Sequence, residues 1–158
     1  MRRIAATLAV VVLLFSAGSA WADLDDGWAA LKRGDYATAF REFLPYAEQG
    51  RADAQANIGN MYAEGEGVPQ NYAEALKWYR KAAEQGELLA QFYLGFMYGT
   101  GEGVPVNNVR AYMWWTLAKA QGNEMAAIHL DIVQKLMTPA QIAKAQTLAT
   151  VMWEKINN

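Results

Sequence analysis

The sequence predicts an all-α fold, an α/α superhelical solenoid of helix-turn-helix repeats closed by capping helices. Two observations carry that reading. Gly65-Glu66-Gly67-Val68-Pro69 returns 36 residues later as Gly101-Glu102-Gly103-Val104-Pro105, and Gln49-Gly50, Gln85-Gly86 and Gln121-Gly122 keep the same offset. Laid over each other without a gap, residues 35–70 and 71–106 agree at 17 of 36 positions. Within each copy the apolar residues recur at helical spacing. A fixed period of this size marks a repeat architecture, in which each unit buries its apolar face only against a neighbour.

In chain order, residues 1–22 predict a secretory signal peptide. Arg2 and Arg3 give a basic start, Ile4 to Phe15 is a charge-free run, and Ala20-Trp21-Ala22 supplies the small-x-small pattern of a cleavage site. That apolar run has 12 residues, short of the about 20 a membrane span requires. Cleavage after Ala22, no membrane span afterwards and a periplasmic or secreted location are therefore expected. Taking 22 residues from 158 leaves 136, with 12 basic and 16 acidic side chains. This balance carries no basic footprint for nucleic acid.

Residues 23–34 predict an N-terminal capping helix, centred on Trp28 to Arg33. Residues 35–70 form repeat 1, 71–106 repeat 2 and 107–137 a degenerate repeat 3. In repeat 2, Asn71 is a good N-cap for a helix through Ala83, and Gly86 suits a left-handed stop. Ala75, Trp78 or Tyr79, and Ala82 share its apolar face, with Lys77, Arg80, Lys81 and Glu84 towards solvent. A second helix is expected from about Leu88 to Tyr98, ended by Gly99 and the Gly101-Glu102-Gly103 segment. Its face combines Ala90, Leu94 and Met97 or Tyr98, with Gly95 admitting a neighbouring backbone. Repeat 3 decays, because Asp131 stands where Gly59 and Gly95 stood. Residues 138–158 predict a C-terminal capping helix. Thr138-Pro139-Ala140-Gln141 is a capping box with proline at the first helical position. The stripe of Ile142, Ala145, Leu148 or Ala149, and Met152 or Trp153 then runs to about Glu154.

Ala90, Leu94-Gly95, Tyr98 and Gly101-Glu102-Gly103-Val104 resemble the Sel-1-like repeat, a relative of the tetratricopeptide repeat. So do Ala54, Ile58-Gly59, Tyr62 and Gly65-Glu66-Gly67-Val68, with Ile58 in place of the usual leucine. Ala75, Trp78-Tyr79, Ala82-Ala83 and Gly86 complete the pattern, and the likeness covers about residues 35–135. It implies an α-solenoid whose inner surface holds a protein or peptide, and exported members resemble bacterial envelope adaptors. Some cysteine-rich relatives are described as penicillin-binding or β-lactam-hydrolysing. Their disulfide-linked repeat cannot form in a chain without cysteine.

The residues themselves argue against bond chemistry. Ser16 and Ser19 are the only serines and leave with the signal, so no serine or cysteine nucleophile remains. Thr100, Thr116 and Thr138 read as helix, loop and cap residues. His129, the sole histidine, cannot make a three-ligand zinc site without carboxylates, and the nearby acids are Glu124 and Asp131. It reads as packing or surface. Glu64, Glu66 and Glu102 sit in wet glycine-rich loops, unlike the buried acid of a glycosidase pair. No catalytic residue, metal or cofactor is expected.

The aromatic residues leave a choice open. Phe92 and Phe96, one helical turn apart, lie off the Ala90, Leu94 and Tyr98 face. By analogy with the tetratricopeptide arrangement they line the concave surface, where Asn60 and Ile132 take the place of Phe96 in adjacent copies. Alternatively, the final helix folds back and covers them. The expected function is a non-enzymatic protein-interaction or adaptor module of the bacterial envelope, binding protein or peptide through Asn60, Phe92, Phe96 and Ile132. The alternative is a protein that binds or hydrolyses peptidoglycan through acidic loop residues.

Overall fold

A computed structural model describes residues 24–158, and the expected signal peptide lies outside them. Among the described residues the chain forms eight α-helices and no strand: α1 (Asp25–Lys32), α2 (Tyr36–Glu48), α3 (Ala52–Glu64), α4 (Tyr72–Ala83), α5 (Leu88–Thr100), α6 (Asn108–Ala120), α7 (Glu124–Val133) and α8 (Pro139–Asn157), with a 3-10 turn at Gln134–Leu136 before α8. Each of α1 to α6 packs on the next, as an all-α solenoid requires, and α8 returns to pack on α6.

The starts are set by side chains that satisfy free amides of the first turn. Asp35, Asn71, Asn107 and Asn123 accept from the amides of Thr38, Glu74, Arg110 and Ala126. Both halves of the Thr138–Gln141 capping box form. Three helices differ from expectation. Helix α1 begins at Asp25, α5 runs on through Gly99 to Thr100, and α8 continues to Asn157.

Gly99 is therefore no terminator. A Cβ there would meet Trp115 Cη2 at 2.9 Å, and one at Gly95 would meet Trp115 Cδ1 and Nε1 at 2.5 Å. Gly95 thus admits a ring, not the backbone expected. The same device recurs where Gly59 faces the Tyr79 ring, with 2.8 Å left for a Cβ. In each case an aromatic on the following helix packs directly against a helix that has no side chain there to hold it off. Asp131 takes this place on α7 and is exposed. The decay costs nothing, because α8 packs chiefly on α6 and lays no ring over α7.

The core runs as two clusters. One joins α1, α2 and α3 around Phe43, Ile58 and Met61; the other joins α3 to α8 around Tyr79, Leu94, Trp114 and Trp115, with α3 entering through Ala56. On α4 the structure selects Tyr79 for full burial and leaves Trp78 half-buried. On α8 it selects Ala145 and Ala149, with Met152 and Ile156 packed beside the core, and leaves Trp153 exposed. Lys155 reaches Glu84 at 3.3 Å and ties α8 to the end of α4.

The repeated glutamines are a second seam. Gln85 Nε2 donates to Gln55 Oε1 at 2.8 Å, and Gln121 Nε2 donates to Gln91 Oε1 at 2.9 Å. Gln55 and Gln91 are buried, and each donates in turn to a carbonyl of the preceding helix, Ala47 or Ala83. Ala127 holds the third equivalent position, so the ladder stops there. Gln91→Ala removes a buried acceptor from Gln121 and opens a void, and is expected to cost about 2 kcal/mol in urea unfolding. The exposed Gln85→Ala should cost less.

Candidate functional site

Helices α1, α3, α5 and α7 form one layer, and α2, α4 and α6 the other. Successive helices of the first layer meet directly: α3 touches α5, and rings of α5 meet His129 of α7. We call this the inner layer, because successive units meet along it. It is the surface on which the four sequence-derived binding residues all lie.

The structure does not bring these four into one site. Phe92 and Phe96 share His129, with ring centroids 5.7 and 6.1 Å away. The imidazole is itself stacked on Trp115 at 4.8 Å and 17° between planes, and Trp115 Nε1 donates to the Phe92 carbonyl at 3.2 Å. Phe92 and Phe96 are half-buried in this aromatic cluster. The cover that the sequence left open as an alternative does not form, because α8 lies against α6, on the opposite layer. Ile132, one turn beyond His129, is 54% exposed. Ile128 and Met125, also on α7, are exposed beside it.

Asn60 belongs to a different feature, a cleft of about 400 Å³ between α1, α3 and α5. Trp28, Asn57, Leu89 and Tyr93 line it with Asn60, and Asp53 and Glu87 supply its carboxylates. Its floor is Tyr79, stacked on Tyr93 at 5.3 Å and within 3.5 Å of Asn60 Oδ1 through its hydroxyl. Burial pushes the Tyr79 phenol well above its ordinary range, and the Tyr93, Glu64 and Glu87 groups add to the effect. It therefore stays a protonated donor. Burial also works against the charge on Asp53, but the Arg51 guanidinium and the Ala54 amide hold its carboxyl below the usual value.

Sequence reasoning missed Trp28, Glu87 and Tyr93, because their convergence comes from three helices. It treated His129 as packing or surface, and the ring stack shows packing. Of the acidic loop residues, Glu66 stands beside Tyr36, whose phenol it pushes up by charge and hydrogen bonding. Glu102 lies one loop further along. Among the described residues no three His, Asp or Glu side chains come together as a metal-ligand group, and no helix is long and apolar enough to cross a membrane.

A family model described as Sel1 repeat matches residues 52–87 and 88–123. The crystal structure of a Sel1 repeat protein from Oxalobacter formigenes is 34% identical, with a TM-score of 0.57 over 69% of this chain and 97% of its own length. This chain belongs to the Sel1 repeat family.

A longer Sel1-like structure is similar over more of the chain. It is a protective antigen present in uropathogenic Escherichia coli strains and displaying an SLR fold, with TM-score 0.82 and 32% identity over 88% of this chain. The present chain spans 31% of that protein's length. No match is found among curated proteins. The matched Sel1 units pair α3 with α4 and α5 with α6, the same 36-residue period framed one helix later than 35–70 and 71–106. Sel1-repeat proteins are generally protein-interaction modules, and their solenoid is typically a non-enzymatic scaffold.

Proposed function

We propose that this Sel1-repeat protein is a non-enzymatic adaptor of the bacterial envelope, exported by residues 1–22, that holds a protein or peptide on the layer of α1, α3, α5 and α7. One observation carries the reading. That layer exposes apolar side chains in sequence-distant positions, Trp28, Leu89, Met125, Ile128 and Ile132, each at 40% exposure or more. Dispersed apolar residues need no explanation, but a row of them on the inner face of a solenoid is what a bound segment would cover. Protein binding fits the family, and shape with apolar contact needs no nucleophile.

The test is crosslinking in cells followed by partner capture from the envelope fraction. Leu89→Lys and Ile132→Lys alter exposed side chains, so the fold should survive them. Phe96→Asp would disturb the aromatic cluster and is a poorer probe. Capture is expected to fall at least about tenfold in the double variant, since a charge forced into an apolar contact costs more than 1.4 kcal/mol. A Lys77→Asp control on the opposite layer should leave it unchanged. Equal loss in the control, or no loss in the double variant, would remove this layer as the binding face.

A further inference from the structure

We propose that the cleft between α1, α3 and α5 receives a lysine or arginine side chain of an extended segment of the protein partner, so that the inner layer selects basic segments. The inference rests on the binding layer proposed above and adds the chemistry that this layer recognises.

Beyond the first helix pair, in which α1 carries Asp25, Asp26 and Lys32 and α2 carries Arg41, Glu42 and Glu48, charge is segregated between the layers. Helices α3, α5 and α7 contain Asp53, Glu64, Glu124 and Asp131 and no lysine or arginine, and the N-cap of α5 is Glu87. On the other side, α4 and α6 carry Lys77, Arg80, Lys81, Arg110 and Lys119 against Glu74. A basic segment is therefore drawn to the inner layer and an acidic one to the outer.

The cleft gives that attraction a seat. Asp53 is answered by Arg51 at 2.7 Å, whereas Glu87 carries no ion pair among the described residues. One of its oxygens caps α5 by accepting from the Ala90 amide, and a carboxylate retains further lone pairs for a cation. Trp28, which is exposed, and Tyr93, which is half-buried above the Tyr79 floor, give the cleft aromatic walls that attract a cation. Leu89 and Ala56 offer apolar surface for the aliphatic stem of a long basic side chain. Asn57 donates through Nδ2 to the Asp53 carbonyl, and Asn60 accepts through Oδ1 from Tyr79. The Asn57 oxygen and the Asn60 amide protons remain to pair with a peptide backbone. An anionic side chain would meet Glu87 and Asp53 instead.

Fluorescence anisotropy with short labelled peptides tests this. Three peptides share one Gly-Ser-Leu host and differ only in a central lysine, norleucine or glutamate. The lysine peptide should bind the full-length protein about tenfold tighter than norleucine, with glutamate weakest, and added salt should erode the preference. Glu87→Gln keeps an oxygen to cap α5, which circular dichroism can verify, and should reduce the preference to about twofold or less. Glu87→Asp should restore part of it. Equal binding of lysine and norleucine, a preference untouched by Glu87→Gln, or no binding at all would overturn the inference. So would a glutamate peptide that wins and is lost in Arg80→Ala. Equal binding that Leu89→Lys abolishes would overturn only the basic selection and leave the inner layer as the binding face.

Discussion

Trp115→Ala should lower the stability of the protein by about 4 kcal/mol in urea unfolding, within the usual range for removing a buried large ring. Trp115 is 4% exposed, lies against Gly95 and Gly99, and stacks under His129. Its removal leaves a void bounded by two glycines that have no side chains to move in. The sharper result concerns Gly95→Ala. In the intact protein a Cβ would sit 2.5 Å from the indole, and overpacking of about 2–3 kcal/mol is expected. In the Trp115→Ala protein the same change should be neutral or stabilising, because alanine is favoured over glycine in a helix by about 1 kcal/mol. A double-mutant cycle measures that reversal. If Gly95→Ala costs the same in both backgrounds, close approach of the ring is not the reason for the glycine.

Gly103→Ala should cost about 3 kcal/mol and lower the melting temperature by about 10 °C. Two effects add. Gly103 has φ +69, a left-handed conformation that costs an L-residue about 1 kcal/mol. Its Cβ would also lie 2.8 Å from the backbone of Tyr72, which opens α4 and is held by the Asn71 cap. Gly122, with φ +93 and nothing within 4 Å of a Cβ, isolates the first effect, and Gly122→Ala should cost only about 1 kcal/mol. Gly67 repeats the arrangement against the Tyr36 carbonyl in the preceding unit. The second glycine of each Gly-Glu-Gly-Val-Pro loop is thus a seat for the first turn of a helix 31 residues back, which is why the loop recurs with the repeat. Equal losses at Gly103 and Gly122 would show that backbone conformation alone is at work.

Much of this was readable from residue order. The loops, the Asn71 cap and the Thr138–Gln141 capping box depend on contacts within a few residues, so their sequence patterns are direct. The glutamine ladder left a visible trace as well: Gln55 and Gln91 occupy equivalent positions 36 residues apart, as do Gln85 and Gln121. Periodicity passed over them because it weighs apolar residues, and a buried amide is tolerated only when its partner, 30 residues on, is already in place. The aromatic choices were ambiguous for a related reason. Trp78 and Tyr79, or Leu148 and Ala149, are neighbours on a helix, and a shift of a few tens of degrees in packing decides which is buried.

The sequence by itself therefore determined the repeat, its 36-residue period, the paired helices and the caps at Asn71 and Thr138, since each is written in local pattern or self-similarity. Only the tertiary structure decided what covers what. It set α8 against α6 and left Phe92 and Phe96 to His129, and it drew Trp28, Asn60, Glu87 and Tyr93 from separate helices around one cleft. The physical reason is that a helix's pattern reports which of its faces is apolar but not which neighbour supplies the other side. That partner is chosen by rigid-body packing of elements far apart in the chain, and for the last helix, which lies outside the repeat, no period was available to place it.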